Sequence, residues 1–473
     1  MMDTKKLRQK VLDLAIRGKL VPQDPNDEPA SVLLERVRVE KEWLIKEGKI
    51  KRDKNDYGVD ESDYWQLPEG WAWARLGKIS ALITDGEHLT PKRCKEYCGY
   101  YLLSARNVLD SEISLDNVDY VDAEEYARIS KRCNPQRNDI LISCSGSVGR
   151  VAVVNDDNHY VMVRSAAMAK PVIIVSHYIM FALQSSFLQE QISSNKKQVA
   201  QANLFQAEIR GLILPLPPLT EQHRIVAAVE SALTVIDEIE RNKTDLQTAV
   251  TTAKSKILSL AIRGKLVSQD PNDEPIANVL GRNKVINEEK PFDVPAGWEW
   301  YKLGDVCDYG ACDKISEEQI NENAWVLDLE DIEKDSANII QMLTKNERPF
   351  KGTRNVFKKG QVLYSKLRPY LNKVVIAPQD GYCSLEILPL SLYNDIQPRY
   401  VQAYLMSDYF LLYANICSHG VRMPRLGTTN GKNAPVPIPP IAEQKRIVAA
   451  VNAMFNRLNS IAESLVSESD LKS

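Results

Sequence analysis

The sequence predicts an α/β (α+β) fold in which two similar β-rich domains are separated by an antiparallel pair of long coiled-coil helices, in a pseudo-twofold circular arrangement. Three observations predict it. Pro215-Leu216-Pro217-Pro218-Leu219, Glu221-Gln222 and Arg224-Ile225-Val226-Ala227-Ala228-Val229 return 222 positions later as Pro437-Ile438-Pro439-Pro440-Ile441, Glu443-Gln444 and Arg446-Ile447-Val448-Ala449-Ala450-Val451. Leu260-Ala261-Ile262-Arg263-Gly264-Lys265-Leu266-Val267 and the following 269–275 repeat residues 14–21 and 23–29 across 246 positions. Between these two blocks apolar residues recur with heptad spacing, the mark of a long helix that wants a partner helix.

Taken in order, residues 1–66 open with an amphipathic helix carrying Leu7, Val11 and Leu14, followed by turn chemistry at 22–29 and a charged helix around 31–47. Residues 67–215 form the first domain. Its entry, Leu67-Pro68-Glu69-Gly70-Trp71-Ala72-Trp73, returns 227 positions later as Val294-Pro295-Ala296-Gly297-Trp298-Glu299-Trp300. Pro-x-Gly-Trp-x-Trp reads as a tight turn into a strand whose tryptophans anchor a core. Short β-rich runs follow, such as 139–143, and then a helical segment at 176–193.

Residues 216–293 hold the long spacer helix. Its seam is Ile225, Val229, Ile236, Ile239, Leu246, Val250, Ile257 and Leu260, with Lys243 as a polar interruption. The double proline presets the helix start, and Gly264 can end it after Arg263. Some 43 residues at 1.5 Å each give a rod of roughly 65 Å. The second domain, 294–437, repeats the pattern with a strand at 361–365 and a helix at 399–416. Residues 438–473 begin a second rod with Ile447, Val451, Leu458, Ile461 and Leu465, and the sequence stops before that rod is complete. The N-terminal helix supplies the missing end under the 246 shift, so the two termini are expected to meet.

The composition leaves several classes without support. A 44% apolar content suffices for packed cores, and a net charge of -3 does not by itself announce a nucleic-acid binder. Charge is segregated locally: residues 348–373 carry eight Lys and Arg and no carboxylate, while 308–335 are strongly acidic. No secretory leader and no apolar run of spanning length are evident, so a cytoplasmic protein is expected. The eight cysteines are read as single thiols of a reducing compartment, and no metal site is expected from Cys94, Cys98 and His88. Phosphate loops, zinc-protease motifs, nucleophile elbows and Asn-Pro-Pro-Tyr tetrapeptides are absent from the sequence, so no catalytic residue is expected.

Across essentially its whole length the chain resembles the specificity subunit of Type I restriction-modification systems. The repeated blocks carry that resemblance, together with Asp85-Gly86-Glu87-His88-Leu89-Thr90-Pro91, Gly146-Ser147-Val148-Gly149-Arg150 and Leu367-Arg368-Pro369-Tyr370-Leu371-Asn372-Lys373. Glu87 departs from the family, which often has Thr before the His. The resemblance implies two target-recognition domains that bind the halves of a split double-stranded DNA site, with the helices as a ruler. It also implies two modification (methyltransferase) subunits, which would carry S-adenosylmethionine, restriction subunits as further partners, no cofactor in this chain and no membrane. A stand-alone sequence-specific DNA-binding protein and a coiled-coil protein adaptor are the alternative classes.

Basic density then gives the expected DNA contacts. In the second domain they are Lys366, Arg368, Tyr370, Asn372, Lys373, Arg422 and Arg425. In the first they are Lys92, Arg93, Arg106, Asn107, Arg150, Lys196, Lys197 and Gln198.

Overall fold

The computed structural model describes residues 3–52, 58–194, 203–281 and 291–467, with side chains to residue 462. The chain forms two compact units, residues 2–242 and 243–473, so the division falls inside the central helix Leu219–Ile262. That boundary cuts across the five sequence segments because each half of the helix packs on a different domain. Both units are mixed α/β.

In the first unit the strand Ala72–Arg75 pairs antiparallel with Ile213–Leu216, which closes the domain's entry on its exit. A four-stranded antiparallel sheet runs in the order 80–85, 166–171, 140–143, 151–153. Beside it lies a three-stranded sheet in which Tyr100–Leu103 is parallel to Tyr160–Met162. Strand Ile140–Ser143 is buried along its whole length, which explains an unbroken apolar run where half-exposed strands alternate. The expected helix at 176–193 is two helices, Ser176–Gln184 and Ser186–Ser194, separated at Ser185.

The second unit repeats the closure, with Glu299–Lys302 antiparallel to Pro435–Ile438. The expected helix at 399–416 is again two, Pro398–Leu405 and Asp408–Ile416. Strand Val362–Ser365 lies between 374–376 and 387–390 in a three-stranded antiparallel sheet. A separate sheet, ordered 314–316, 353–357, 381–383, 325–327, 343–344, repeats the first unit's three-stranded sheet, with 325–327 parallel to 381–383, and adds the strands 353–357 and 314–316 at its edge.

The repeated sequence blocks build the same polar clamp in each unit. The Trp71 indole N–H donates to Glu221 at 3.0 Å, and Gln23 donates to the other oxygen of that carboxylate at 3.1 Å. Trp298 and Gln269 hold Glu443 in the same way, at 2.8 Å each. Arg224 pairs with Asp27 as Arg446 pairs with Asp273. Gln222 accepts from the Val175 N–H and donates to the Pro217 carbonyl, and Gln444 does so with Gln397 and Pro439. Every side chain of the Trp-Glu-Gln-Arg series is therefore consumed internally, which is the reason the blocks recur almost unchanged. Burial pushes the Glu221 and Glu443 carboxyls up, against the lowering effect of their donors.

Glycine closes each clamp. Gly18 and Gly264 both have φ +65°, and a Cβ there would come within 2.4 Å of Pro68 and 2.3 Å of Pro295 respectively. The repeated Arg-Gly-Lys-Leu block and the Pro-x-Gly-Trp entry are thus two sides of one contact.

Each unit also contains an antiparallel helix pair. The N-terminal helix Thr4–Ile16 lies along the first half of the central helix: Arg8 pairs with Asp237 and with Glu240, while Gln23 and Asp27 reach Glu221 and Arg224. In the second unit Lys254 sits 5.6 Å over the Phe455 ring, and Gln269 reaches Glu443, so the second half of the central helix opposes the C-terminal helix Ile441–Ser467.

The buried stripe matches the heptad seam at Ile225, Val229, Ile236, Val250, Ile447 and Val451. Toward the helix ends it departs. Leu12, Ala15 and Ile16 are buried together with Val11, and their repeats Leu258, Ala261 and Ile262 are buried, whereas Leu7, Leu14, Ile257 and Leu260 are half-buried. Those ends pack on a domain as well as on a helix, which rotates the covered face past the two-helix seam. Ile239, Leu246 and Leu458 are half-buried and Ile461 is exposed, and the Leu465 side chain lies outside the described residues.

Candidate nucleic-acid interface

In the second domain, strand Val362–Ser365 ends in the loop 366–373 before Val374–Ile376 begins. The loop is held in an unusual backbone path. Arg368 has φ +49° and Asn372 φ +48°, a region that costs a side chain such as arginine far more than glycine. The Arg368 N–H donates to the Pro424 carbonyl at 2.7 Å, and Leu426 N–H donates to the Lys366 carbonyl at 3.0 Å. Those bonds attach a small hairpin, Ser418–His419 paired with Arg425–Leu426, to the loop.

The first domain builds the equivalent loop, 144–150, after strand Ile140–Ser143. The Leu204 N–H donates to the Cys144 carbonyl at 2.9 Å, the counterpart of Leu426 on Lys366. Here the positive φ values belong to Gly146 and Gly149, and Gly149 lies against the Gln189 side chain, which donates to its carbonyl at 2.8 Å. One scaffold position therefore presents glycine in one half and arginine with asparagine in the other.

Among the expected contacts, Arg368, Tyr370 and Arg422 are exposed, and neither arginine side chain has an ion pair or hydrogen bond among the described residues. Lys366 and Arg150 are half-buried at the loop bases. Others have partners within the chain. Arg425 makes a bidentate pair with Glu386 at 3.0 and 2.9 Å, which raises its pKa. Lys373 donates to the Leu329 carbonyl at 2.7 Å, and burial lowers its pKa. Arg93 and Arg106 share Asp119, and exposed Lys92 uses its backbone N–H on Glu125.

Two expectations are corrected. Asn107 is fully buried, with its oxygen accepting from Ser104 and its amide donating to the Ser114 carbonyl, so it presents no edge to a ligand. Asn372 is 8% exposed and donates to Met406, so it shapes the loop from inside. Lys196, Lys197 and Gln198 lie outside the described residues.

The wider basic run 348–373 is neutralised in part: two of its eight cations pair with the acidic run that precedes it, and a third with a carboxylate that follows it. Arg348 pairs with Asp331 at 2.5 Å and Glu330 at 3.1 Å, Arg354 with Asp328, and Lys358 with Asp380 at 3.0 Å. Burial works to raise the pKa of Asp331, but Arg348 and its other donors hold it below the usual carboxylate range. The two runs complement one another across the five-stranded sheet, a pairing that sequence segregation disguises as a free basic face.

The Asp85–Pro91 loop is likewise locked. Arg132 and Gln206 bond to Asp85, and His88 lies 2.7 Å from the same carboxylate. Glu87 accepts from the Leu89 N–H and from Arg128, both at 2.8 Å, so this departure from the family pattern holds the loop in place. Charge reasoning passed over the exposed Arg164 and a disulfide between Cys94 and Cys98, which corrects the expectation of single thiols there; it singled out 421–425 for its arginines, and Val421 and Met423 are the bare apolar residues of that tip. Six cysteines remain free, and no metal-holding group of His, Cys, Asp or Glu occurs among the described residues.

The Type I restriction modification DNA specificity domain matches twice, over residues 68–247 and 295–466. The chain belongs to this family. Each match covers one domain with its Trp-Glu-Gln-Arg residues and the helix that carries them, in whole or in part, so the duplication read from the sequence is a duplication of the family's own unit. The specificity subunit of the Escherichia coli Type I restriction enzyme EcoEI is 27% identical over 98% of this chain and 91% of the relative. That of EcoAI, from the same organism, is 25% identical over 97% and 90%. A solved chain, described as the structural basis of complex assembly and conformational transition of the type I R-M system, aligns with TM-score 0.60 at 18% identity. It covers 86% of this chain and 96% of its own length, and supports the fold. No helix among the described residues is long and apolar enough to cross a membrane.

Proposed function

We propose that this chain is the DNA sequence-recognition subunit of a Type I restriction-modification complex, with each domain binding one half of a split duplex site. The observation that carries the reading is the contrast between two near-identical clamps, one in each unit, and the divergent loops 144–150 and 366–373 of the same units. A scaffold conserved within one chain around surfaces that differ suits two readers of two different sequences. In this reading two modification subunits, which bring S-adenosylmethionine and the methyl transfer, dock on the chain, and restriction subunits join them. The chain itself is non-catalytic and acts in the cytoplasm.

Co-purification with the modification subunits, followed by methylome sequencing of cells expressing the complex, tests the assignment. The expected result is methylation at a bipartite motif with a fixed gap, and methylation by the purified chain alone would overturn the non-catalytic role. Binding of the motif should fall steeply between 50 and 200 mM salt, by about 10³-fold or more if six or more phosphates are contacted.

A further inference from the structure

The hairpin Ser418–His419/Arg425–Leu426 carries a tip, residues 420–424, whose apolar side chains have nothing to cover them. Val421 is fully solvent-exposed and Met423 is 44% exposed, in a chain that buries most of its large apolar residues. The stalk beneath is fixed. Leu426 is buried, Arg425 is clamped by Glu386, the Pro424 carbonyl accepts from Arg368, and Asn430 donates to the Cys417 carbonyl at 2.9 Å. Ser418 donates to the Ala414 carbonyl at 2.6 Å. A firm stalk under a bare apolar tip suits a side chain that must enter a resistant partner, because a loose loop would fold back on meeting it.

Charge identifies the partner. Arg422 at the tip and Arg368 beside it are the two exposed arginines of this region that have no carboxylate among the described residues, whereas Arg348, Arg354 and Arg425 are all neutralised. An apolar point flanked by free guanidinium groups matches a stack of bases between phosphates, and apolar side chains, methionine among them, act as wedges in this setting. We propose that Val421 and Met423 enter a base step of the second half-site and unstack it, while Arg422 and Arg368 hold the flanking phosphates. The inference rests on the DNA-binding reading above and adds to it that the second domain deforms its half-site, making specificity depend in part on how easily that step opens.

The test uses the full chain and a duplex selected by it from a randomised library, with 2-aminopurine placed in turn at each position of both half-sites. The wild-type complex is expected to brighten several-fold at one step of one half-site. The Val421→Ser/Met423→Ser variant should keep the wild-type melting profile, lose the brightening and bind about tenfold more weakly. Its affinity should recover on a duplex carrying an abasic site at that step, where no stacking has to be broken. Binding by the wild-type chain without brightening anywhere, or a variant that keeps both brightening and affinity, overturns the wedge and leaves DNA recognition standing. Recovery of no duplex at all from the library removes the recognition reading and the wedge with it.

Discussion

The loops 144–150 and 366–373 leave equivalent strands and accept equivalent backbone bonds, yet they solve the same geometric problem with opposite chemistry. The first domain meets its positive-φ positions with Gly146 and Gly149, so the turn is relaxed, with bare backbone exposed at Gly146 and Gly149 buried against Gln189. The second domain places Arg368 and Asn372 there, which imposes strain on the backbone in order to project a guanidinium from a fixed point. The clamps below the loops show no such difference. The most exposed of the divergent positions, Arg368, sends its side chain out of the fold, whereas the recurring clamp side chains are used up inside it.

That contrast is broken first by the arginines of the second domain. Replacing Arg348 by Ala strands the fully buried Asp331 without its main partner, and the expected loss is about 3–5 kcal/mol of stability in urea unfolding. Arg368→Ala should leave the unfolding curve unchanged and weaken DNA binding by about 1–3 kcal/mol, measured by titration of a selected duplex. Equal stability losses for the two variants would show that exposure does not separate structural from functional arginines here.

The likeness of the two clamps is sharpened by paired lesions. Ile16→Ala and Ile262→Ala remove repeat-related, 1% exposed side chains, and each is expected to cost about 2–5 kcal/mol of its own unit's stability, with the two values close to one another. Calorimetry of the full chain is the measurement, and a large mismatch would show that the two helix ends do different structural work.

The smallest effect concerns pH. Burial raises the folded-state pKa of Glu221 and Glu443, so the stability each contributes is fully present below the unfolded carboxylate value and is lost as pH rises through the folded value. Glu221→Gln and Glu443→Gln should therefore flatten the decline in melting temperature on the alkaline side of that window, by a similar small amount in both. A steeper decline in either variant would mean that the carboxylate is favoured by its Trp and Gln donors over its own burial.

Much of this was legible in the sequence, because repeats and apolar spacing report local and periodic constraints. The Pro-Pro helix start, the tryptophan anchors and the strands at 140–143 and 362–365 need only neighbours in sequence. The charge state of the surface was not legible. Arg348 and Asp331 are 17 positions apart and meet only because the strands 353–357 and 325–327 share a sheet, so a basic run looked free. Asn107 looked like a reader of bases because its neighbour is arginine, but its amide caps its own turn at 104–107 and bonds the Ser114 carbonyl. The break at Ser185 and at Ser407 escaped notice since the apolar pattern runs on through both.

The central helix is continuous over 44 residues, but between Ile236 and Val250 none of its side chains is buried. Beyond the Arg8 pairs to Asp237 and Glu240 and the half-buried Ile239 and Leu246, little supports that stretch, and an isolated helical run of about a dozen residues is marginal in water. It therefore transmits little stability from one half to the other. The protein should melt as two independent cooperative blocks, and damage to one block would leave the melting point of the other where it was. Selection can then alter one half-site's reader freely, because the cost of a poor variant stays on its own side of the rod.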